Sequence, residues 1–176
     1  MAKEVSRQFG VVLQRRPAVS KWADWVWSVA DIVPDAPATD GWREIAREGD
    51  VVRYMNAPFT ATLYEKMVEA YDSNIETGQP AIWVALAEND AGDPPWRVIG
   101  VTVDPYQAQS WQEAGEGLVE RIALAPDAVA WMARFLQEVP EAPAFRKRRR
   151  DSAKVEEPQF GKTPIFSPEH RRSEQD

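Results

Sequence analysis

The sequence predicts an α+β domain: a curved antiparallel sheet of about seven strands that could partly close into a barrel, with about three helices. Three observations predict this class. Short apolar segments that alternate every second residue recur between proline- and glycine-containing loops. In three places the apolar spacing changes to that of a helix. Finally, 44% of the 176 residues are hydrophobic and eight are tryptophan, so bulky side chains are available for one core.

The first third of the chain predicts strands only. The segments are Phe9–Arg15, Trp25–Val33, Trp42–Ile45, Asp50–Met55 and Phe59–Tyr64, with a chain break expected at residues 56–58. In the second strand, Trp25, Trp27 and Val29 share one face by the two-residue period. The same period places Ile32 on the opposite face, so this strand is expected to be covered on both sides.

A helix is expected next, at residues 65–77, because Met67, Val68, Tyr71 and Ile75 recur at helical spacing. Gly78 is a typical helix end. The most apolar strand, Pro80–Ala87, is predicted to be central in the sheet.

The remaining elements follow from turn and cap residues. Trp96–Val103 returns after a polar loop and is predicted to pair antiparallel with the strand before it. Asp104 followed by Pro105 is typical of a helix N-cap with proline at the first helical position. Leu118–Ala123 is the last predicted strand. Pro126 opens the last helix, which carries one apolar stripe.

The composition changes near residue 140, where prolines are scattered among charges with no periodic apolar face. We therefore expect one globular domain over residues 1–145 and a basic, mobile tail over residues 146–176. Phe160, Ile165 and Phe166 are the apolar exceptions in this tail. They predict a short segment that docks on a partner or folds back on the domain.

The net charge of −7 is unevenly distributed, with −9 on residues 1–140 and +2 on residues 141–176. An acidic body repels phosphate backbones, which argues against a nucleic-acid-binding core. The tail holds one dense cationic run, which would suit an anionic partner or RNA or simply keep the chain soluble. The residues of this run are Arg146, Lys147, Arg148, Arg149 and Arg150.

A cytoplasmic, soluble protein is the expectation from composition. No apolar run reaches the roughly 18–20 residues that a membrane-spanning helix needs. The first residues lack the apolar stretch of a secretory signal. The chain has no cysteine, which excludes disulfides, thiolate metal sites and cysteine nucleophiles.

The residues offer little for catalysis, so no catalytic, cofactor or metal site is predicted. The single histidine, His170, falls in the predicted tail, where nothing holds it in catalytic geometry. No glycine-rich phosphate-binding motif is present. The carboxylates Glu113, Glu116 and Glu120 are expected on solvated faces. The loop oxygens of Asn89, Asp90 and Asp93 are explained by turn chemistry.

Three closely spaced tryptophans form the best candidate for a binding surface. Trp22, Trp25 and Trp27 are spaced as W-x-x-W-x-W. Packing into the core is the commoner use of such residues, whereas an exposed cluster would indicate a partner surface.

Several blocks of the sequence resemble a known bacterial family, domain of unknown function 3305, over roughly residues 9–151. The blocks are Gly10–Pro17, Trp22–Trp27, Leu63–Tyr64, Glu69–Glu76, Pro80–Val84, Val103–Gln109, Gly115-Glu116, Val119-Glu120 and Phe145–Arg150. Members of this family tend to be encoded near components of molybdenum-dependent formate dehydrogenase. The resemblance therefore implies an accessory role in assembling such an enzyme, and it implies no catalytic residue.

Three functions remain open at this level. The first is a non-catalytic accessory protein that binds a protein partner, with a formate dehydrogenase component as the implied one. The second is a carboxylate-based enzyme or small-ligand binder, which requires a pocket holding acids of unlike burial. The third is an RNA or anionic-surface binder that acts through Arg146–Arg150.

Overall fold

Two antiparallel sheets and three helices make up the part of the chain that the structure describes. The computed structural model describes residues 2–115 and 117–139. The strands are β1 (Glu4–Pro17), β2 (Trp25–Pro34), β3 (Arg43–Glu48), β4 (Val51–Tyr64), β5 (Ala81–Glu88), β6 (Trp96–Thr102) and β7 (Leu118–Ala123). The helices are α1 (Val68–Glu76), which follows a 3₁₀ turn at Glu65–Met67, α2 (Pro105–Ala114) and α3 (Pro126–Glu138). The α+β class is confirmed.

The seven strands pair antiparallel as predicted, but the expectation that they form a single curved sheet is wrong, and they do not close into a barrel. The strands form a four-stranded sheet in the order β2-β1-β4-β3 and a separate three-stranded sheet in the order β6-β5-β7. The chain passes through α1 between β4 and β5, and both partners of β5 come from later in the chain. Among the described residues, no strand of one sheet pairs with a strand of the other. The two sheets instead meet where β2 packs against β7 and β4 packs against β6.

The predicted break at residues 56–58 is also wrong, because β4 runs without interruption from Val51 to Tyr64. On β1, Phe9 pairs with Phe59 and Val11 pairs with Asn56, so Gly10 alone faces two residues of β4. Such a bulge accommodates a proline that cannot donate to the ladder. Gly10 is itself required here, since a Cβ at this position would lie 2.7 Å from the Cβ of Ala36.

The predicted faces of β2 are wrong beyond a second bulge, which lies at Ala30. Leu13 pairs with Val29 and Val11 pairs with Ile32. Ala30 and Asp31 of β2 therefore both lie opposite Val12 of β1. The extra residue shifts the alternation, because side chains change faces at every position. Ile32 consequently lies on the face of Val29, where both are buried.

One core lies between the sheets and the helices. Its largest fully buried side chains come from both sheets and from α1 and α3, and they include Phe9, Leu13, Leu63, Tyr71, Ile82, Leu86 and Met132. β5 is buried along most of its length and is central in its sheet, as predicted. On β1 the fully buried residues end at Leu13, and residues 14–17 become progressively more exposed. The β1–β2 hairpin therefore extends beyond the core.

Polar contacts attach the helices to the sheets. The buried Asn74 on α1 donates to the carbonyl oxygens of Ala81 and Val103, both at 2.8 Å, and accepts from the Ala81 N–H at 2.9 Å. Asp104 caps α2 as predicted, accepting from the backbone N–H of Tyr106 at 2.8 Å. These contacts satisfy groups that would be costly to bury unpaired.

The N-terminus of α3 is held by an arginine of β1. Arg7 Nη2 lies 2.7 Å from Asp127 Oδ2 on α3 and 2.8 Å from Asp35 Oδ2 in the loop after β2. The guanidinium lowers the pKa of the Asp127 carboxyl, chiefly through this hydrogen bond. One side chain thus connects the first sheet, its loop and the last helix.

Candidate partner-binding site

The end of the β1–β2 hairpin carries the most exposed apolar side chains of the described residues. Trp22 is 95% exposed, and Val19 is fully exposed in the same turn. The turn is closed by a hydrogen bond from the Ala18 N–H to the Asp24 carbonyl oxygen at 3.1 Å. Within it the Trp22 N–H donates to Ser20 Oγ at 3.2 Å. The indole is therefore presented to solvent on an ordered turn. We call residues 15–27 the hairpin end.

The three candidate tryptophans divide into two environments. Trp25 pairs with Pro17 and remains 37% exposed, whereas Trp27 pairs with Arg15 and is half-buried. The Trp27 ring lies 6.1 Å from that of Tyr54 on β4, and Trp27 also packs against the core. Trp22 and Trp25 are thus exposed to solvent, while Trp27, on the same strand face as Trp25 but closer to the core, anchors the base of the hairpin end.

Arg15 is a site residue that the sequence did not single out. Its guanidinium carbon lies 4.0 Å from the centre of the Trp25 ring, which is close cation–π stacking. Its Nε is buried and has no hydrogen-bond partner among the described residues. The stacking depends on the register between β1 and β2, so the sequence signal was limited to an arginine near the tryptophan cluster.

The hairpin end is cationic although the body is acidic. Arg15, Arg16 and Lys21 outnumber Asp24, giving the hairpin end a charge of +2. Residues 1–140 as a whole carry −9. A local patch of opposite sign on a charged body steers oppositely charged partners toward it.

The expectation that Glu113, Glu116 and Glu120 lie on solvated faces is wrong for Glu120. Glu120 on β7 is half-buried and accepts a hydrogen bond from the Val29 N–H on β2. Burial raises the pKa of this carboxyl, and the hydrogen bond from Val29 partly offsets that rise. Asp104 is buried as the cap of α2. Glu113 is exposed as expected, and Glu116 lies outside the described residues.

The loop between β5 and β6 forms turns, as predicted. The Gly92 N–H donates to the Asn89 carbonyl oxygen, and the Asn89 N–H donates to that of Pro95, both at 2.9 Å. Over residues 2–115 and 117–139, no three histidine, cysteine or acidic side chains cluster to hold a metal ion.

A shallow cavity of about 270 Å³ lies beside the edge strand β3. It is lined mainly by residues 37–39 and 43–45 together with Met55. Its single acid, Glu44, forms an ion pair with Arg47 at 2.8 Å. This cavity therefore does not offer the two carboxylates of unlike burial that acid–base catalysis requires.

The remaining candidate residues belong to the predicted tail. Arg146, Lys147, Arg148, Arg149 and Arg150 lie outside the described residues, as do His170 and the predicted apolar docking segment. The proposed boundary at residue 145 lies outside them too and stays a prediction. None of the described helices has the length and apolar character needed to cross a bilayer.

Comparison with known proteins identifies the family. The model of a family described as protein of unknown function (DUF3305) matches residues 8–149, which is most of the chain. The chain belongs to this family, as the resemblance of its sequence blocks implied. No curated protein and no solved structure matches it.

Proposed function

We propose that this DUF3305 protein is a non-catalytic accessory protein that binds a protein partner through its hairpin end. The observation that carries the proposal is Trp22, 95% exposed on an ordered turn beyond the core. Tryptophan is costly to leave in water and is enriched among the residues that dominate binding energies at interfaces. Val19 and Trp25 extend the apolar surface around it.

The rigid base of the hairpin end supports the same function. Trp27 packs against Tyr54 and the core, and the long β1–β4 pairing continues beneath it. A binding surface held by packed elements loses less conformational entropy on association than a flexible loop does. The turn thus resembles a preorganised contact element.

The functions of the buried acids also favour a binding protein over a carboxylate-based enzyme. Glu120 is engaged by a backbone N–H of the opposite sheet, and Asp104 caps a helix. Both carboxylates therefore have structural partners. The partner implied by the family resemblance is a molybdenum-dependent oxidoreductase such as formate dehydrogenase, met in the cytoplasm during its assembly, and we include it in the proposal.

Affinity purification of the tagged full chain from its native cell tests this function. Wild type should recover a protein partner, and the Trp22→Ala variant should lose most of it. Tyr106→Ala is the matched control, because Tyr106 is 57% exposed and lies on α2, whose main contacts are with α1, β5, β6 and β7. Equal recovery by all three chains would refute the assignment to the hairpin end.

The identity of the partner is tested in the same cells. Deleting the gene should lower formate dehydrogenase activity, and the Trp22→Ala gene should fail to restore it. Recovery of a different protein, with formate dehydrogenase activity unchanged by the deletion, would refute that partner and retain the docking surface.

A further inference from the structure

We infer that Arg15 is the recognition residue for an acidic segment of the partner protein, which binds with a carboxylate on the Arg15 guanidinium and an apolar side chain against Trp22 and Trp25. This inference rests on the proposed function and specifies the chemistry of the partner. It begins from the fact that Arg15 is half-buried yet takes part in none of the ion pairs of the described residues.

Arg15 has no counter-charge among the described residues. The Nε of Arg15 is buried without an acceptor, whereas a cationic donor removed from water is normally hydrogen-bonded. Arg7, the other half-buried arginine of β1, has two carboxylate partners. Arg15 is thus a partly desolvated cation to which residues 2–115 and 117–139 supply no carboxylate partner.

Glu44 on β3 does not supply that anion. Glu44 on β3 lies close enough for the charge of Arg15 to contribute to the lowering of its pKa, but the hydrogen bond from Arg47 is the main cause. Both oxygens of Glu44 are taken by Arg47, with contacts of 2.8 and 2.9 Å. Glu44 makes no hydrogen bond or ion pair with Arg15 among the described residues, so Arg15 remains available there.

Stacking prepares Arg15 for a carboxylate. The guanidinium carbon lies 4.0 Å from the centre of the Trp25 ring, and this contact restricts the guanidinium to a position over the ring. A carboxylate is bound by arginine in the plane of the guanidinium, through two parallel hydrogen bonds. Because the contact with Trp25 restricts the Arg15 side chain beforehand, binding loses less side-chain entropy.

The charge of the surroundings selects an acidic protein segment over other occupants. The hairpin end carries +2 on a body that carries −9 over residues 1–140. A long polyanion such as RNA would extend over that acidic body and be repelled by it, whereas a short acidic segment is small enough to lie on the cationic hairpin end. The exposed Trp22 and Val19 next to it favour an apolar residue beside the acid.

Selection of random displayed peptides on the immobilised full chain tests the inference. The enriched peptides should carry aspartate or glutamate beside a large apolar residue. A synthetic peptide of the enriched sequence should bind Arg15→Met about tenfold or more weakly than wild type, because a charge-assisted hydrogen-bonded pair is lost. Arg97→Met, an exposed arginine of β6, is the control and should bind like wild type.

The outcomes separate this inference from the proposed function. Enriched peptides that are apolar without acids, and that depend on Trp22 but not on Arg15, would overturn the acidic partner and leave the docking surface standing. Binding that depends on neither residue would overturn both. Tighter, Arg15-dependent binding of an oligothymidylate than of the peptide would assign the site to nucleic acid instead.

Discussion

Glu120 on β7 accepts a hydrogen bond from the backbone N–H of Val29 on β2, and this contact connects the two sheets directly. Val29 lies next to the bulge at Ala30, on the edge strand of the first sheet. The carboxylate therefore binds an N–H that the β-ladder leaves unpaired, at the base of the strand that carries the hairpin end.

The Glu120→Gln variant should change how stability depends on pH. Burial raises the pKa of Glu120 above its ordinary value of 4.5, so the folded chain holds this proton more tightly than the unfolded chain does. The resulting stabilisation is fully present below that ordinary value and is lost as pH rises through the folded-state pKa. Glutamine keeps an oxygen for Val29 and does not ionise, so the variant should gain stability relative to wild type as pH rises.

Urea unfolding of both chains between about pH 4 and pH 7 measures this difference. Glu113→Gln, at an exposed position of α2, is the control and should follow wild type across the range. A constant difference between Glu120→Gln and wild type at every pH would contradict the burial of this carboxylate.

Substituting Gly117 should be far more damaging than substituting another glycine with positive φ. A Cβ at Gly117 (φ +86°) would lie 2.0 Å from the carbonyl oxygen of Leu86, whereas a Cβ at Gly49 (φ +59°) meets nothing within 4 Å. Gly49→Ala should cost about 1–2 kcal/mol from backbone strain alone. Gly117→Ala adds the displacement of β5 and should cost at least about 2 kcal/mol more. Equal midpoints in urea would show that β7 does not approach β5 as described.

The Asn74→Ala variant should lower the free energy of unfolding by at least about 2 kcal/mol, because it leaves buried groups of Ala81 and Val103 without partners. Gln79→Ala removes an amide from an exposed position and should change stability by less than about 0.5 kcal/mol. Denaturant unfolding measures both. Similar values for the two variants would mean that the Asn74 contacts do not hold α1 to the second sheet.

Replacing the exposed and the packed tryptophan of the hairpin end should change stability by different amounts. Trp22→Ala should leave the melting temperature unchanged, since the side chain is 95% exposed. Trp27→Ala should destabilise the fold by about 2 kcal/mol or more, because it removes packing against Tyr54 and the core. The reverse order would contradict the placement of these side chains.

Periodicity and cap residues were sufficient to predict most elements. The helix cap at Asp104, the central position of β5 and the apolar stripe of α3 all follow from local patterns. Local patterns did not predict the division into two sheets. Pairing between strands that are distant in the chain depends on tertiary packing, including the packing of α1 between β4 and β5 in the chain order. The chain break predicted around Pro58 is absent because a bulge opposite Gly10 lets the strand continue.

The candidate site was predicted only in outline. The W-x-x-W-x-W spacing located the hairpin end, but the exposure of each indole depends on where the core stops beneath β1 and β2. The stacking of Arg15 on Trp25 depends on strand register, which a bulge at Ala30 helps to set. Glu120 lies in a strand with half-exposed neighbours, so nothing local indicated its contact with Val29.

Photocrosslinking at position 22 tests the central claim most directly. The full chain, with Trp22 replaced by the photoreactive residue benzoylphenylalanine, is irradiated in its native cell. A second chain with the same residue in place of Tyr106 is the control. The account predicts a discrete protein adduct from position 22 that is absent from position 106. Identical adducts from both positions, or none from position 22, would contradict it.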